Sequence, residues 1–133
     1  MSHTAKINTQ FKRFEPLKTA LAQFGWTIKE KSKCRLYSSD PARNTVYDYV
    51  AVNPKNEYNS YDVGIKVNKT TGELELYGDF YGGSVAATLG TNLDRLREEY
   101  AYRVMEEKYA YEGASVFRTQ NQDGTQTVEV EFS

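Results

Sequence analysis

Cysteine and histidine are nearly absent from this chain: Cys34 and His3 are the only representatives. A lone cysteine excludes an internal disulfide and suits a reducing compartment. One cysteine with one histidine also leaves almost no soft ligands for a zinc site. No apolar run approaches the roughly 18–20 residues that a membrane span needs, and nothing near Met1 resembles a secretory leader. The expectation is a cytoplasmic chain with no membrane partner. Catalytic patterns are missing as well. Gly78, Gly82, Gly83 and Gly90 do not fit the strand–turn–helix phosphate fingerprint. No RNP-like aromatic motif, helix-turn-helix or GXXG loop is present. The chain is expected not to be an enzyme, and no cofactor is called for.

What is present fits one domain, 1–133: the chain is long enough for a single core but not for two. Apolar residues make up 39% and charged ones 26%, an ordinary balance that argues against wholesale disorder. The net charge of −1 hides a polarity. Residues 1–35 hold eight cations against two anions, and the rest of the chain holds nine cations against sixteen anions. Such a split bears on the choice of partner rather than on the fold.

Apolar–polar alternation from Ala5 to Lys12 predicts a strand, with Ala5, Ile7 and Phe11 on one face. Phe14, Leu17, Ala20, Leu21 and Phe24 then recur at helical spacing, with Pro16 in the first turn and Gly25 as the stop. Trp26 to Leu36 alternates again, setting Ile28, Cys34 and Leu36 against Lys29, Lys31, Lys33 and Arg35. After the turn cluster 38–44, strands are expected over Val46–Val52, through Tyr61, Val63, Ile65 and Val67, and through Leu74, Leu76 and Phe80. Thr70-Thr71-Gly72 turns the last two into a hairpin. Residues 82–87 read as a loop with a short helical start. A long helix from Asn92 to about Gly113 follows, capped by Thr91-Asn92 with Asp94 as in a capping box. Leu93, Leu96, Tyr100, Val104 and Tyr111 form its buried stripe, and Glu98, Glu106 and Glu107 an acidic strip opposite. Asp123-Gly124 closes a terminal hairpin with Val128, Val130 and Phe132 facing in. The order β-α-β-β-β-β-α-β-β makes an α+β fold, a mostly antiparallel sheet with two helices packed on one face.

Four features bear on function. Lys29, Lys31, Lys33 and Arg35, two apart on a strand, would point one way at ~7 Å intervals, close to the spacing of phosphates on a nucleic-acid strand. Against this, lysines also protect an edge strand, and no aromatic residues interleave for base stacking. Tyr47 and Tyr49 are expected on the face opposite Val46, Val50 and Val52. Most of the eleven tyrosines read as structural cross-strand packing, while Tyr77, Tyr81, Tyr102 and Tyr109, with Glu106, are the candidates for a partner surface. Asp48, Asp62 and Asp79, on successive strands, could gather magnesium or calcium for a metal-dependent hydrolase, but their spacing matches no known loop, so no metal site is assigned. His3 and Cys34 could in principle pair as base and nucleophile; a quiet core thiol is the simpler account of Cys34.

Taken in order, several short pieces resemble one known family: Met1-Ser2-His3, Ile7, Leu17, Ala20-Leu21, Gly25-Trp26, Tyr61-Asp62-Val63-Gly64-Ile65, Glu73-Leu74, Tyr100-Ala101-Tyr102, Gly113 and Asp123-Gly124. This is the hypothetical chloroplast reading frame 35 family, small proteins of chloroplasts, cyanobacteria, other bacteria and phages, catalogued as a domain of unknown function. Thr4 stands where the family usually has Phe, the chain ends in Phe132-Ser133 rather than Arg-Trp, and 53–60 is longer than usual. These departures suggest a divergent member, with phage origin included. The resemblance implies a non-catalytic accessory protein acting through protein–protein contacts, in the cytoplasm or the chloroplast stroma. Nucleic-acid binding is the alternative.

Overall fold

Alternating apolar residues build a five-stranded sheet, and the amphipathic helices cover one side of it. The computed structural model describes the backbone of residues 5–8, 11–37, 40–123 and 126–132, and the side chains of these from residue 11 onward except that of Gln120. The strands are β1 (Ala5–Asn8), β2 (Thr27–Lys33), β3 (Val46–Val52), β4 (Val63–Val67) and β5 (Leu74–Gly78), in spatial order β1-β5-β4-β3-β2. Every neighbouring pair is antiparallel. Helix α1 (Phe14–Gln23) carries the chain from one edge of the sheet to the other. Helices α2 (Gly83–Leu89) and α3 (Asp94–Tyr111) follow, and β6 (Ala114–Gln120) pairs with β7 (Gln126–Phe132) in a separate two-stranded sheet. This is the expected α+β architecture with the expected order of elements. Among the described residues, no helix is long and apolar enough to cross a membrane.

The main core lies between the helices and one sheet face. It joins Phe11, Leu17, Leu21 and Trp26 to Ala51, Val63, Ile65, Leu74 and Leu76, and to Leu89, Leu93, Leu96 and Tyr100 from the later helices. Helix α1 ends as its sequence predicts. Gly25 takes φ +84°, the Gly25 N–H donates to the Ala22 carbonyl and the Trp26 N–H donates to that of Leu21, the paired bonds of a Schellman motif. The loose 82–87 stretch is the start of α2, a seven-residue helix. The turn into α3 departs from the expected cap: Asn92 and Leu93 both adopt left-handed φ, 54° and 59°, and no side chain caps the helix. Gly90 makes this corner feasible, because a Cβ there would lie 1.7 Å from Asp94 Oδ1. Tyr111, expected in the buried stripe, is 90% exposed, as the helix projects beyond the core at that end. Phe132, expected to face in, is also exposed and lies edge-on to Tyr109.

The basic strand β2 departs from its alternation. Lys29 stands opposite Val50 and Ser32 opposite Tyr47, yet Val50, Tyr47 and Cys34 all pack in one second cluster, apart from the main core that Ile28 joins. Residues three apart on a regular strand face opposite sides, so the alternation breaks between them. The break is at Lys31, with φ 48°, and the rung between Glu30–Tyr49 and Ser32–Tyr47 is missing. The same break parts Tyr47 from Tyr49, which were expected on one face. Tyr49 stacks on Phe14 of α1 at 4.2 Å, while Tyr47 packs against Tyr77 in the second cluster at 5.6 Å.

Candidate binding groove

An open groove of about 410 Å³ runs between α3 and the residues that lead into α1. Ala101 and Val104 supply its open apolar surface above the buried Phe11 and Tyr100, and Lys12, Arg13 and Arg97 are its cations. Local structure explains the arrangement. The Leu74 N–H donates to the Phe11 carbonyl, which ties residue 11 to the sheet. The Tyr100 hydroxyl accepts from the N–H groups of Lys12 and Arg13, both at 3.0 Å, and its ring stacks on Phe11 at 5.0 Å. The strand-to-helix segment is thereby pinned against α3. Arg97, Ala101 and Val104 follow one another along one helix face, and small Ala101 leaves the hollow between its larger neighbours. The Arg97 guanidinium lies over the Phe11 ring, its Nε donating to the Asn92 carbonyl. Arg13 pairs with Glu107, and Lys12 is exposed beside it on the rim. An apolar floor with a cationic rim suits an aromatic or aliphatic side chain accompanied by carboxylates.

The four cations singled out on β2 do not form one row. The break at Lys31 interrupts the strand, and Arg35 lies beyond its end. The Arg35 guanidinium donates to both Asp62 oxygens, to the Asn53 carbonyl at 2.9 Å and to Asn56 Oδ1 at 3.2 Å, which engages most of its fork. Asp62 also accepts the backbone N–H groups of Arg35 and Asn53, and its own N–H donates to the Arg35 carbonyl. This network latches the end of β2 to the start of β4. A polar hollow beside it, of about 440 Å³, includes Lys33, Arg43 and Tyr58.

The other candidates are dispersed. Tyr77 belongs to the second cluster, on the sheet side away from the helices, where its hydroxyl donates to Glu75. Tyr102 is nearly buried between α3 and β6, donates to the Val116 carbonyl and carries the Arg118 guanidinium 4.2 Å over its ring. Tyr109 meets Phe132, Tyr81 is exposed after β5, and Glu106 pairs with Arg103. They do not share one surface. The expected acidic strip is interrupted too, because Glu106 and Glu107 are both matched by arginines. Asp48 accepts the Val67 N–H and Asp79 that of Tyr81, while Asp62 holds Arg35, so the three carboxylates serve separate turns and strands. Among the described residues, no three His, Cys, Asp or Glu side chains are grouped to hold a metal ion. Cys34 is buried, and burial first, then the Asp62 carboxylate, pushes its thiol pKa up, which disfavours the nucleophilic thiolate. His3 lies outside the described residues.

Local periodicity missed two features. One is the groove, whose signal is the small Ala101 between Arg97 and Val104. The other is the reach of Arg118 to Glu99: Glu99 is buried and makes the i,i+4 pair with Arg103 that helical spacing gives, at 3.1 Å, but it also accepts from both terminal nitrogens of Arg118. Burial acts to raise the Glu99 pKa, but the hydrogen bonds and charges of Arg118 and then Arg103 hold it below the usual carboxylate range. No family model matches the chain, and neither a curated protein nor a solved structure matches it significantly.

Proposed function

We propose that this chain is a small, non-catalytic accessory protein that works by binding another protein in the groove between α3 and the entry to α1. The observation that carries the proposal is the pairing of an apolar floor, Phe11, Tyr100, Ala101 and Val104, with the cations Lys12, Arg13 and Arg97 around it. The matching epitope is an aromatic side chain flanked by carboxylates. Its ring would bury apolar area worth roughly 25 cal/mol per Å², and its acids would be drawn to the rim. The resemblance to the hypothetical chloroplast reading frame 35 family points to the same kind of role.

The test is calorimetric titration with a short peptide bearing phenylalanine between two glutamates. Binding should weaken as salt rises, and Ala101→Trp, at an exposed helical position, should abolish it by filling the hollow. Equal binding by wild type and Ala101→Trp would end the assignment of the groove.

A further inference from the structure

The chain itself carries an epitope of this chemistry. The register of the terminal hairpin divides its side chains between two faces. Ala114, Val116 and Arg118, with Val128 and Val130, form the inner face, which is fastened to α3 by Tyr102 and Glu99. The outer face presents Ser115, Phe117 and Thr119 opposite Glu131, Glu129 and Thr127. Phe117 is 53% exposed and stands directly opposite Glu129. Glu131 is its diagonal neighbour, a relation that spans about 7–8 Å in an antiparallel pair. A phenylalanine held outward beside two glutamates of the facing strand is the counterpart of the groove.

We infer that the occupant of the groove is a second copy of this chain, inserting Phe117 over Ala101 with Glu129 and Glu131 against Lys12 and Arg97. This rests on the binding reading above and names its partner. The contact has to be between copies. An α-helix turns by about 100° per residue, which puts Glu99 and Tyr102, where the hairpin is fastened, roughly half a turn from the groove row Arg97, Ala101 and Val104. A hairpin anchored on one side of α3 does not reach the groove on the other. Knob and groove are different surfaces, so copies associate either reciprocally as a two-fold pair or head to tail as a ring or chain. The charge split along the sequence acts in the same sense, with Lys12 and Arg13 in the basic part and the hairpin in the acidic part.

Sedimentation velocity on the full chain, from roughly 10 µM to 1 mM, tests this. At low salt the average mass of wild type should rise with concentration, and added salt should reverse the rise. Phe117→Ser and Ala101→Trp change exposed side chains, and circular dichroism should show both folded. Each alone should stay at monomer mass. An equimolar mixture should reach about twice the monomer mass and stop there, because one variant keeps only the knob and the other only the groove. Wild type that is monomeric throughout, a single variant that associates like wild type, or a mixture that stays monomeric each overturns the inference. If wild type is monomeric but still binds the Phe-Glu peptide, the second copy is wrong and the binding role stands. If wild type associates and Ala101→Trp changes neither association nor peptide binding, both fail.

Discussion

The ring of Tyr47 lies against the backbone of Gly64, so closely that a Cβ on Gly64 would stand 2.7 Å from it. Gly64 sits opposite Val50 on one side and Tyr77 on the other, and the bare backbone is what lets Tyr47 and Tyr77 approach each other. Gly64→Ala should therefore destabilise the fold by about 1–3 kcal/mol through overpacking, with no contribution from backbone strain. Denaturant unfolding measures this, and Tyr47→Ala in the same chain should make the alanine much less costly. Equal cost in both backgrounds would mean that the ring is not the obstacle.

Arg35 and Asp62 should behave as a unit. Asp62 is nearly buried, while the Arg35 side chain is about one-third exposed, at 35%. Removing either partner strands the other, so Asp62→Ala and Arg35→Ala should each cost on the order of 3 kcal/mol, below the full value for a wholly buried pair. The double variant should lose far less than the sum, with a coupling of about 1–3 kcal/mol by equilibrium unfolding. Additive losses would show that the latch is not cooperative.

The hairpin should loosen in acid. Because the folded pKa of Glu99 is depressed, its stabilisation is fully present above the ordinary carboxylate range and is lost as pH falls through that range towards the depressed folded value. Amide exchange in β6 and β7 should accelerate below about pH 4.5 before the five-stranded sheet opens. Glu99→Gln should flatten that dependence and cost about 1–3 kcal/mol at neutral pH. A hairpin whose protection falls in step with that of the sheet would contradict this local role.

Lys31 is exposed with φ at 48°, a region that costs a side-chain-bearing residue about 1–2 kcal/mol. Lys31→Gly should stabilise the protein by up to about 1 kcal/mol, and Lys31→Val should destabilise it more than an exposed strand position allows. Thermal melts of the two variants settle the sign. A loss of stability on Lys31→Gly would mean that the lysine side chain contributes more than its backbone costs.

Much of the framework was legible because it rests on neighbours in sequence. The bounds of β3 follow from the valine- and tyrosine-rich run Val46–Val52, the end of α1 from Gly25, and the β4–β5 hairpin from Thr70-Thr71-Gly72, where Asn68 Oδ1 accepts the N–H groups of Thr70 and Thr71. What escaped depends on long-range contacts or on one unusual torsion. Nothing near Glu99 announces Arg118, nineteen residues away on another element. The same holds for Tyr100, whose hydroxyl is taken by Lys12 and Arg13 across the fold. A lysine carries no local sign that it will adopt a left-handed φ, so the row of cations on β2 looked regular. The groove escaped because Val104 was assigned to a buried stripe, whereas it is only partly covered.

The missing rung at Lys31 has a consequence for crowded solutions. Strand β2 is an outer edge of the five-stranded sheet, and an unbroken outer edge is a template on which another chain can extend hydrogen bonds without limit. Here the template is cut into two short lengths, each guarded by a lysine, so an incoming strand loses register after a few residues. Growth of cross-β fibrils from this edge is disfavoured by a single torsion, so copies of this protein that crowd together meet here side chain to side chain rather than strand to strand.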